Sequence, residues 1–304
     1  MATEQTRIKQ RKIAEGFYAR HFPEGDMTAA KLADKLIENA RDYRPDSWRN
    51  LRNAIAFDQQ ERGYNKAADR VHKTQNPCTM ENGEAKPKAE RDIKQRKRQC
   101  RAVPDDDLKA LLDATNGKRK ELQSAIVIAA ITGCRPSEMR SIRQLPGGEF
   151  FIEGAKKRDS GDRGIDRKIT VSAERHAPLL KALATLKASN KNALALAKEM
   201  HAVARSVFPD RKIRPTLKSF RHQMGSDLKA LCKSGEMTRS EAAYILGHQS
   251  TDSIIEYGNS RSSRERSPDV SSAVSVSEIA KVVREGTKSE VYEPRRQSKK
   301  LGFN

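Results

Sequence analysis

The sequence has 304 residues, with 60 Lys and Arg against 40 Asp and Glu, a net charge of +20 and four cysteines. The length predicts two domains, and the scattered cysteines, which form no C-x-x-C pair, exclude a disulfide-built miniprotein and argue against a zinc site. We expect a protein of a reducing compartment, the cytoplasm or nucleoid. The most apolar stretch, residues 122–131, is too short to cross a bilayer, and the charged N-terminus holds no secretory signal core, so no membrane association is expected.

The positive charge indicates a polyanionic partner, because a surface this cationic repels itself unless it meets one. Nucleic acid is the leading candidate. The charge is also uneven: residues 151–250 hold 20 Lys and Arg against 10 Asp and Glu, an excess of 10 that is half of the total. Charge alone leaves open a basic protein with no nucleic-acid role, and it names no chemistry.

The first part of the chain predicts a small helical domain over residues 1–75. One helix is capped by Thr28, a second begins at Pro45, and a third lies near residues 66–72. The apolar stripes of the first two consist of Leu32, Leu36, Ile37 and Ala40, and of Trp48, Leu51, Ala54 and Ile55. These stripes are typical of a helical core.

Residues 76–102 are predicted to be a basic linker, because prolines and a glycine interrupt them before a run of cations. Lysine and arginine in such a segment can follow the phosphates of a nucleic acid. The predicted DNA contacts of the linker are Lys94, Arg96, Lys97 and Arg98.

Residues 103–270 predict a second, mixed domain. A helix with an acidic first turn follows Pro104, and the next helix, 118–131, is apolar nearly all round and should be the buried centre of the domain. Residues 150–152 and 168–171 are predicted to be the strands of a hairpin, with further helices near Pro178, Asn192, Leu217 and Thr238. The predicted fold class is mainly α, with a small β hairpin or sheet and two domains.

Three short motifs carry the residues that point to chemistry. In 132–138, Arg135 directly follows the buried helix, and Glu138 stands three residues on, where it can orient the guanidinium. In 217–222, Lys218 and Arg221 lie one helical turn apart on one face. In 246–257, His248 follows a glycine turn and Tyr257 comes nine residues later.

In this order, the three motifs resemble those of the tyrosine recombinases, the phage integrase family. The resemblance covers about residues 103–260, and the helical domain ahead of them is similar to the core-binding domain of the family. It implies a site-specific DNA recombinase or integrase of mobile elements, which cleaves and rejoins DNA through a 3′-phosphotyrosyl intermediate without metal, ATP or other cofactor. The family residues carried over are Arg135, Lys156, Lys218, Arg221, His248 and Tyr257.

Each of these residue types suits a step in the cleavage of a phosphodiester. Planar guanidinium groups of Arg135 and Arg221 can hold phosphate oxygens in a bidentate manner and never lose their charge. The resemblance implies that Tyr257 is the nucleophile, and a tyrosine suits this role because its ester with the phosphate keeps the energy of the broken bond for rejoining. The hairpin lysine would protonate the departing 5′-oxygen, and Lys156 is favoured for this role over Lys157, which is a DNA contact otherwise. His248 would donate to the phosphate.

Lys218 departs from the family, which commonly has a histidine there. An ammonium group accepts no proton, so Lys218 acts as a base only if its pKa is lowered by Arg135 and Arg221 and by partial burial. Otherwise it is a further phosphate contact, and the proton of Tyr257 goes to water, the phosphate or His222. We favour the phosphate contact. His222 follows Arg221 directly, so it should point to a different side of the helix. We expect a packing role for it at least as much as a role as proton acceptor.

Residues 271–304 predict a final helix, opened by a capping box at Ser275, and a basic tail. The resemblance implies double-stranded DNA as partner and a tetramer of protomers on paired sites, with a DNA-bending protein as a potential accessory factor. The final helix could dock on a neighbouring subunit or on its own domain. Two other functions remain open: a type IB topoisomerase, and a DNA-binding regulator that no longer cuts.

Overall fold

The structure, a computed structural model, describes residues 4–94, 98–155, 164–264 and 268–287. The chain divides into two compact units, Met1–Lys97 and Arg98–Asn304. The boundary falls inside the stretch predicted as a linker.

The first unit is helical, as its apolar stripes predicted. Four helices are described, α1 (Glu4–His21), α2 (Ala29–Glu38), α3 (Pro45–Glu61) and α4 (Asn65–Lys73). Thr28 caps α2 by accepting the N–H of Lys31 at 3.2 Å, and Pro45 occupies the first turn of α3, where its missing N–H costs nothing. Trp48, Leu51 and Ile55 of α3 belong to one buried cluster with Leu32 and Leu36 of α2, so the predicted stripes form the core. Ile37 is the exception: it is 44% exposed, so its place in the stripe was predicted wrongly.

The folded part of the first unit continues beyond residue 75. A short hairpin of β1 (Met80–Glu81) and β2 (Glu84–Ala85) follows α4. Cys78 is buried in the helical core, and Ile93 packs against it. The sequence missed this, because a lone cysteine and a lone isoleucine carry no periodicity that would assign them to a core.

The second unit surrounds one buried helix. Its helices are α5 (Asp105–Thr115), α6 (Lys120–Thr132), α7 (Ala173–Ala188), α8 (Ala193–Val207), α9 (Leu217–Ser234), α10 (Arg239–Ile245) and α11 (Val276–Val282). The side chains of Leu122, Ile126 and Ile128 in α6 are fully buried, as the apolar pattern predicted. Gly133 ends α6 in the left-handed conformation.

The predicted hairpin is part of a four-stranded antiparallel sheet. Its strands are β3 (Arg143–Gln144), β4 (Glu149–Ile152), β5 (Arg167–Val171) and β6 (Val270–Ser272), hydrogen-bonded in that order. In the register of β4 and β5, Ile152 pairs with Arg167. The predicted domain end at residue 270 falls inside β6, and α11 belongs to the same unit through the buried Ile279 and Val283.

The outer edge of α11 remains exposed. Val276 and Val282 are 55% and 42% accessible, so this side of the predicted final helix is open to solvent. The basic tail lies outside the described residues. Among those that the structure describes, no helix combines the length and apolar character needed to cross a membrane.

Candidate active site

Arg135 is held by Glu138, as their spacing predicted. The Glu138 carboxylate accepts hydrogen bonds from the Arg135 guanidinium at 2.5 Å and from the Arg135 backbone N–H at 3.0 Å. It also accepts the N–H of Ala155 at 3.4 Å, at the end of β4. Burial raises the pKa of Glu138, but the charges of Arg167, Arg135 and Arg221 more than offset this and lower it to about 2. Glu138 is therefore a fixed anion that orients Arg135.

Arg167 is a second cation on Glu138 that the sequence analysis missed. It is fully buried in β5 and donates to the other carboxylate oxygen at 2.9 Å. A Cβ on Gly247 would lie 2.5 Å from its Nη1, so the turn before His248 needs a glycine there. The alternation of side chains along a strand could have predicted its burial, since Arg167 shares the inner face of β5 with Ile169 and Val171.

Arg221 lies fully buried on α9, where backbone carbonyls hold its guanidinium. Nη1 donates to the carbonyl of Gly133 at 3.0 Å, and Nη2 donates to the carbonyl of Leu246 and contacts Nε2 of His248 at 2.9 Å. Burial and the neighbouring charge of Arg135 lower the pKa of Arg221 to about 10. The three sequence motifs thus meet at one guanidinium, which is fixed before any ligand arrives.

Tyr257 lies over this guanidinium. The Cζ atom of Arg221 is 4.8 Å from the centre of the phenol ring, and the imidazole of His248 is 4.9 Å from it, centre to centre. Burial raises the pKa of Tyr257, but the charge and hydrogen bond of Arg221, with the charges of Arg135 and Lys218, bring it below its ordinary value. Such a set of fixed cations beside a phenol can hold a phosphate and favours loss of the phenolic proton.

His222 also lies against Tyr257, which corrects the expectation that it points elsewhere. Its ring centre is 5.1 Å from that of Tyr257, and its Nδ1 accepts the N–H of Gly258 at 3.4 Å. Burial, followed by the charges of Lys218 and Arg101, lowers its pKa to about 4, so the ring is neutral near neutrality. Helical spacing places His222 on a different face of α9 from Arg221. The segment that carries Tyr257 wraps over α9 and reaches that face too, which the spacing alone does not show.

The remaining predicted residues fall into three groups. Lys218 is exposed at the start of α9, and its charge acts on both Tyr257 and His222. Lys94 and Arg98 are exposed, and Lys94 donates to the carbonyl of Asp42 at 2.8 Å. Four residues lie outside the described part of the chain: Arg96, Lys97, Lys156 and Lys157.

The sequence matches no model of a protein family and no curated protein. Several solved structures share its fold. A lambda integrase tetramer bound to a Holliday junction has a TM-score of 0.54 at 15% identity, covering 88% of this chain and 74% of that one. A lambda integrase dimer bound to a COC′ core site has a TM-score of 0.56 at 14% identity, covering 84% and 89%.

The Tn1549 transposon integrase, in complex with transposon right end DNA, has a TM-score of 0.51 at 12% identity, covering 88% of this chain and 91% of that one. The fold is thus the one that lambda integrase has in its core and catalytic domains. The resemblance to the tyrosine recombinases that the three sequence motifs indicated is confirmed at the level of the fold.

Proposed function

We propose that this protein is a site-specific DNA recombinase that cleaves and rejoins DNA through a phosphotyrosyl bond at Tyr257. The observation that carries the proposal is the position of the Tyr257 ring over the buried Arg221, beside His248. Three motifs that together span more than a hundred residues meet there, in a fold shared with integrases bound to DNA. Neither feature alone would specify this chemistry.

Strand cleavage is a transfer of the phosphoryl group to Tyr257. The phenolic oxygen forms a bond to phosphorus as the bond to the 5′-oxygen breaks, so the DNA 3′-phosphate becomes attached to the protein. The phenolic proton leaves, and the departing 5′-oxygen gains one. Rejoining reverses both transfers. The positive surroundings of Tyr257 assist the first transfer, because they favour the phenolate.

Arg135 and Arg221 would stabilise the charge that develops on the phosphate oxygens. Both are held in place before substrate binds, Arg135 by Glu138 and Arg221 by the carbonyls of Gly133 and Leu246. Groups positioned in this way need no reorganisation during the reaction, which is where most of their catalytic value lies. His248 would donate a hydrogen bond to the same phosphate.

Lys218 would contact the phosphate as a protonated amine. Lys218 is exposed at the start of α9, so its ammonium group is open to a bound phosphate. Lys156 would protonate the departing 5′-oxygen, with Lys157 as the neighbour that could replace it. Lys94, Arg96, Lys97 and Arg98 would contact the DNA backbone.

The partner is double-stranded DNA, with several protomers assembled on paired sites. Lambda integrase is seen as a tetramer on a Holliday junction and as a dimer on a core site, which supports assembly of this kind here. An inverted repeat of two half-sites in the bound DNA would support the same arrangement directly.

The decisive experiment traps the covalent complex. The protein is mixed with a pool of nicked DNA duplexes whose central sequence is randomised, because the nick lets the short cleaved strand diffuse away and prevents rejoining. We expect a DNA adduct that survives denaturation with the wild-type protein and none with Tyr257→Phe. Sequencing the trapped duplexes gives the target site. An adduct with Tyr257→Phe, or none with the wild type, contradicts the proposal.

Plasmid relaxation separates recombination from simple nicking and closing. A recombinase should join two DNA molecules that carry the recovered site. Relaxation of plasmids that lack the site would instead indicate a topoisomerase. Sequence-specific binding without any cleavage in a single turnover would indicate a regulator.

A further inference from the structure

Asp227 is a buried carboxylate on α9 that binds the chain just beyond Tyr257. It is 1% exposed and lies on the same helix as Arg221. It accepts three hydrogen bonds from Arg264: one from the backbone N–H at 2.8 Å, one from Nε at 2.9 Å and one from Nη2 at 2.6 Å. The hydroxyl of Ser263 adds a fourth at 3.3 Å. The two guanidinium nitrogens donate to one carboxylate oxygen and the backbone N–H donates to the other, and hydrogen bonds between charged groups are the stronger kind.

Gln223, one helical turn before Asp227, extends the same network. Its amide nitrogen donates to Asp227 at 2.9 Å and to the carbonyl of Ser262 at 2.8 Å, and its oxygen accepts the N–H of Val103 at 2.8 Å. Both amide protons and the amide oxygen are therefore used in a buried position. We name five residues the latch: Gln223, Asp227, Ser262, Ser263 and Arg264.

The chain between Tyr257 and the latch follows the surface of α9 closely. A Cβ on Gly225 would lie 2.8 Å from the Cβ of Tyr257, so the absence of a side chain lets the tyrosine approach the helix. Ser226 then accepts the N–H of Asn259 at 2.9 Å, and the ammonium of Lys229 donates to the carbonyl of Gly258 at 3.4 Å. Each contact ties the segment to the helix that carries Arg221.

This arrangement matters for the reaction because a nucleophile loses rate steeply when it moves by about 1 Å, and groups on rigid elements keep their positions best. Tyr257 itself lies in an irregular segment after a short 3-10 turn, Thr251–Glu256, which is too short to fix it. The rigidity must come from what the segment is attached to. Downstream of Tyr257 the described attachments are Ser226, Lys229 and, beyond them, the latch.

We propose that Asp227 is a positioning residue for Tyr257: through Arg264 it fastens the nucleophile segment onto α9 and so fixes the phenol relative to Arg221 of the same protomer. This inference rests on the proposed function. Asp227 takes no part in the bond making, so its loss should affect the rate of cleavage and leave the binding of DNA intact.

The test compares Asp227→Asn with Asp107→Asn on the duplex that the wild-type protein traps. Asp107 is also buried and also holds an arginine with both oxygens, Arg211 at 2.5 and 2.9 Å, but on α5. Among the described residues, Asp107 forms no hydrogen bond to the segment 257–264, so it controls for the loss of a buried carboxylate that is paired with an arginine. The rate of adduct formation is measured at saturating DNA, together with DNA affinity.

We expect Asp227→Asn to slow adduct formation by roughly 100-fold with unchanged DNA affinity, and Asp107→Asn to leave the rate near that of the wild type. Asp227→Glu, which keeps the charge, should recover part of the loss. Hydrogen exchange should quicken at the amides of Asn259 and Arg264 in Asp227→Asn alone, which reports release of the segment.

Equal slowing in the two asparagine variants, or unchanged exchange at Arg264, would overturn the role of Asp227 while the proposed function stands. A slowing that disappears at high DNA concentration would also overturn it, since the effect would then be on binding. Absence of an adduct with the wild-type protein would overturn the proposed function, and the positioning role with it.

Discussion

The imidazole of His222 lies 5.1 Å from the phenol of Tyr257, with the two rings inclined by 33°. Its Nδ1 accepts the N–H of Gly258, so the single proton of the neutral ring is on Nε2. In this state Nδ1 is occupied and Nε2 has no lone pair to offer, which makes His222 a poor acceptor for the proton of Tyr257. Its contacts instead hold the chain on either side of that residue.

His222 should make the protein sensitive to acid. Its pKa falls from 6.5 to about 4 on folding, so between these values the unfolded chain binds a proton that the folded chain does not. Stability from this site is complete above pH 6.5 and is lost as the pH falls towards about 4. Melting temperatures measured across this range should therefore drop less steeply for His222→Gln than for the wild type.

The control is His201→Gln, on the exposed side of α8, which should keep the wild-type profile. Parallel profiles for the wild type and His222→Gln would show that the burial of His222 has no energetic consequence.

Lys218 is expected to act as a charge and not as a base. Lys218→Arg should remain active, because a guanidinium also donates to phosphate, and the cleavage rate should depend weakly on pH near neutrality. Lys218→His should retain activity, since imidazole can donate to the same oxygen, and Lys218→Ala should be slower than either. Single-turnover cleavage over a pH series measures all three. A rising pH limb that disappears in an inactive Lys218→Arg protein would assign Lys218 as the base.

Arg135→Lys and Arg221→Lys keep the charge but lose the planar fork. We expect each to lower the rate of adduct formation by roughly two orders of magnitude, the scale of losing one donor to the transition state. DNA affinity should change little, because most of it comes from many other cations. Filter binding and adduct formation, measured on the same preparation, distinguish the two effects. Affinity that falls in parallel with the rate would make these arginines general phosphate contacts.

Gly258 should be among the least replaceable residues near the site. Its φ is +59°, and an added Cβ would lie 2.4 Å from the carbonyl oxygen of His222 and from the backbone nitrogen of Ser226. Gly235, at the end of the same helix α9, has a φ of +82° but open space around it. Gly235→Ala should therefore cost about 1–2 kcal/mol, the strain of the left-handed backbone alone.

Gly258→Ala adds a collision with backbone to that strain and should destabilise the protein clearly more, as measured by urea unfolding. Because the collision displaces the chain next to Tyr257, adduct formation should also fall. Similar losses of stability in the two variants would mean that the segment after Tyr257 can move away from α9 at little cost.

Short-range patterns of residues were enough to predict many of the helices and strands and the residue types of the site. Apolar spacing predicted α2, α3 and the buried α6, and short runs of strand-forming residues predicted β4 and β5. These predictions succeeded because the periodicity of a helix or strand is a local property of the chain. The pairing of Arg135 with Glu138 was also visible, since both residues belong to one turn.

Only the tertiary structure decided which distant residues share the site. Arg167 reaches Glu138 from strand β5, His222 meets Tyr257 because an irregular segment wraps over α9, and Asp227 binds Arg264 across 37 positions of sequence. No pattern in the sequence singled out Arg167 or Asp227. Burial turns them into fixed partners, because a charge removed from water must be paired, and the pairing depends on where the folded chain brings its segments together.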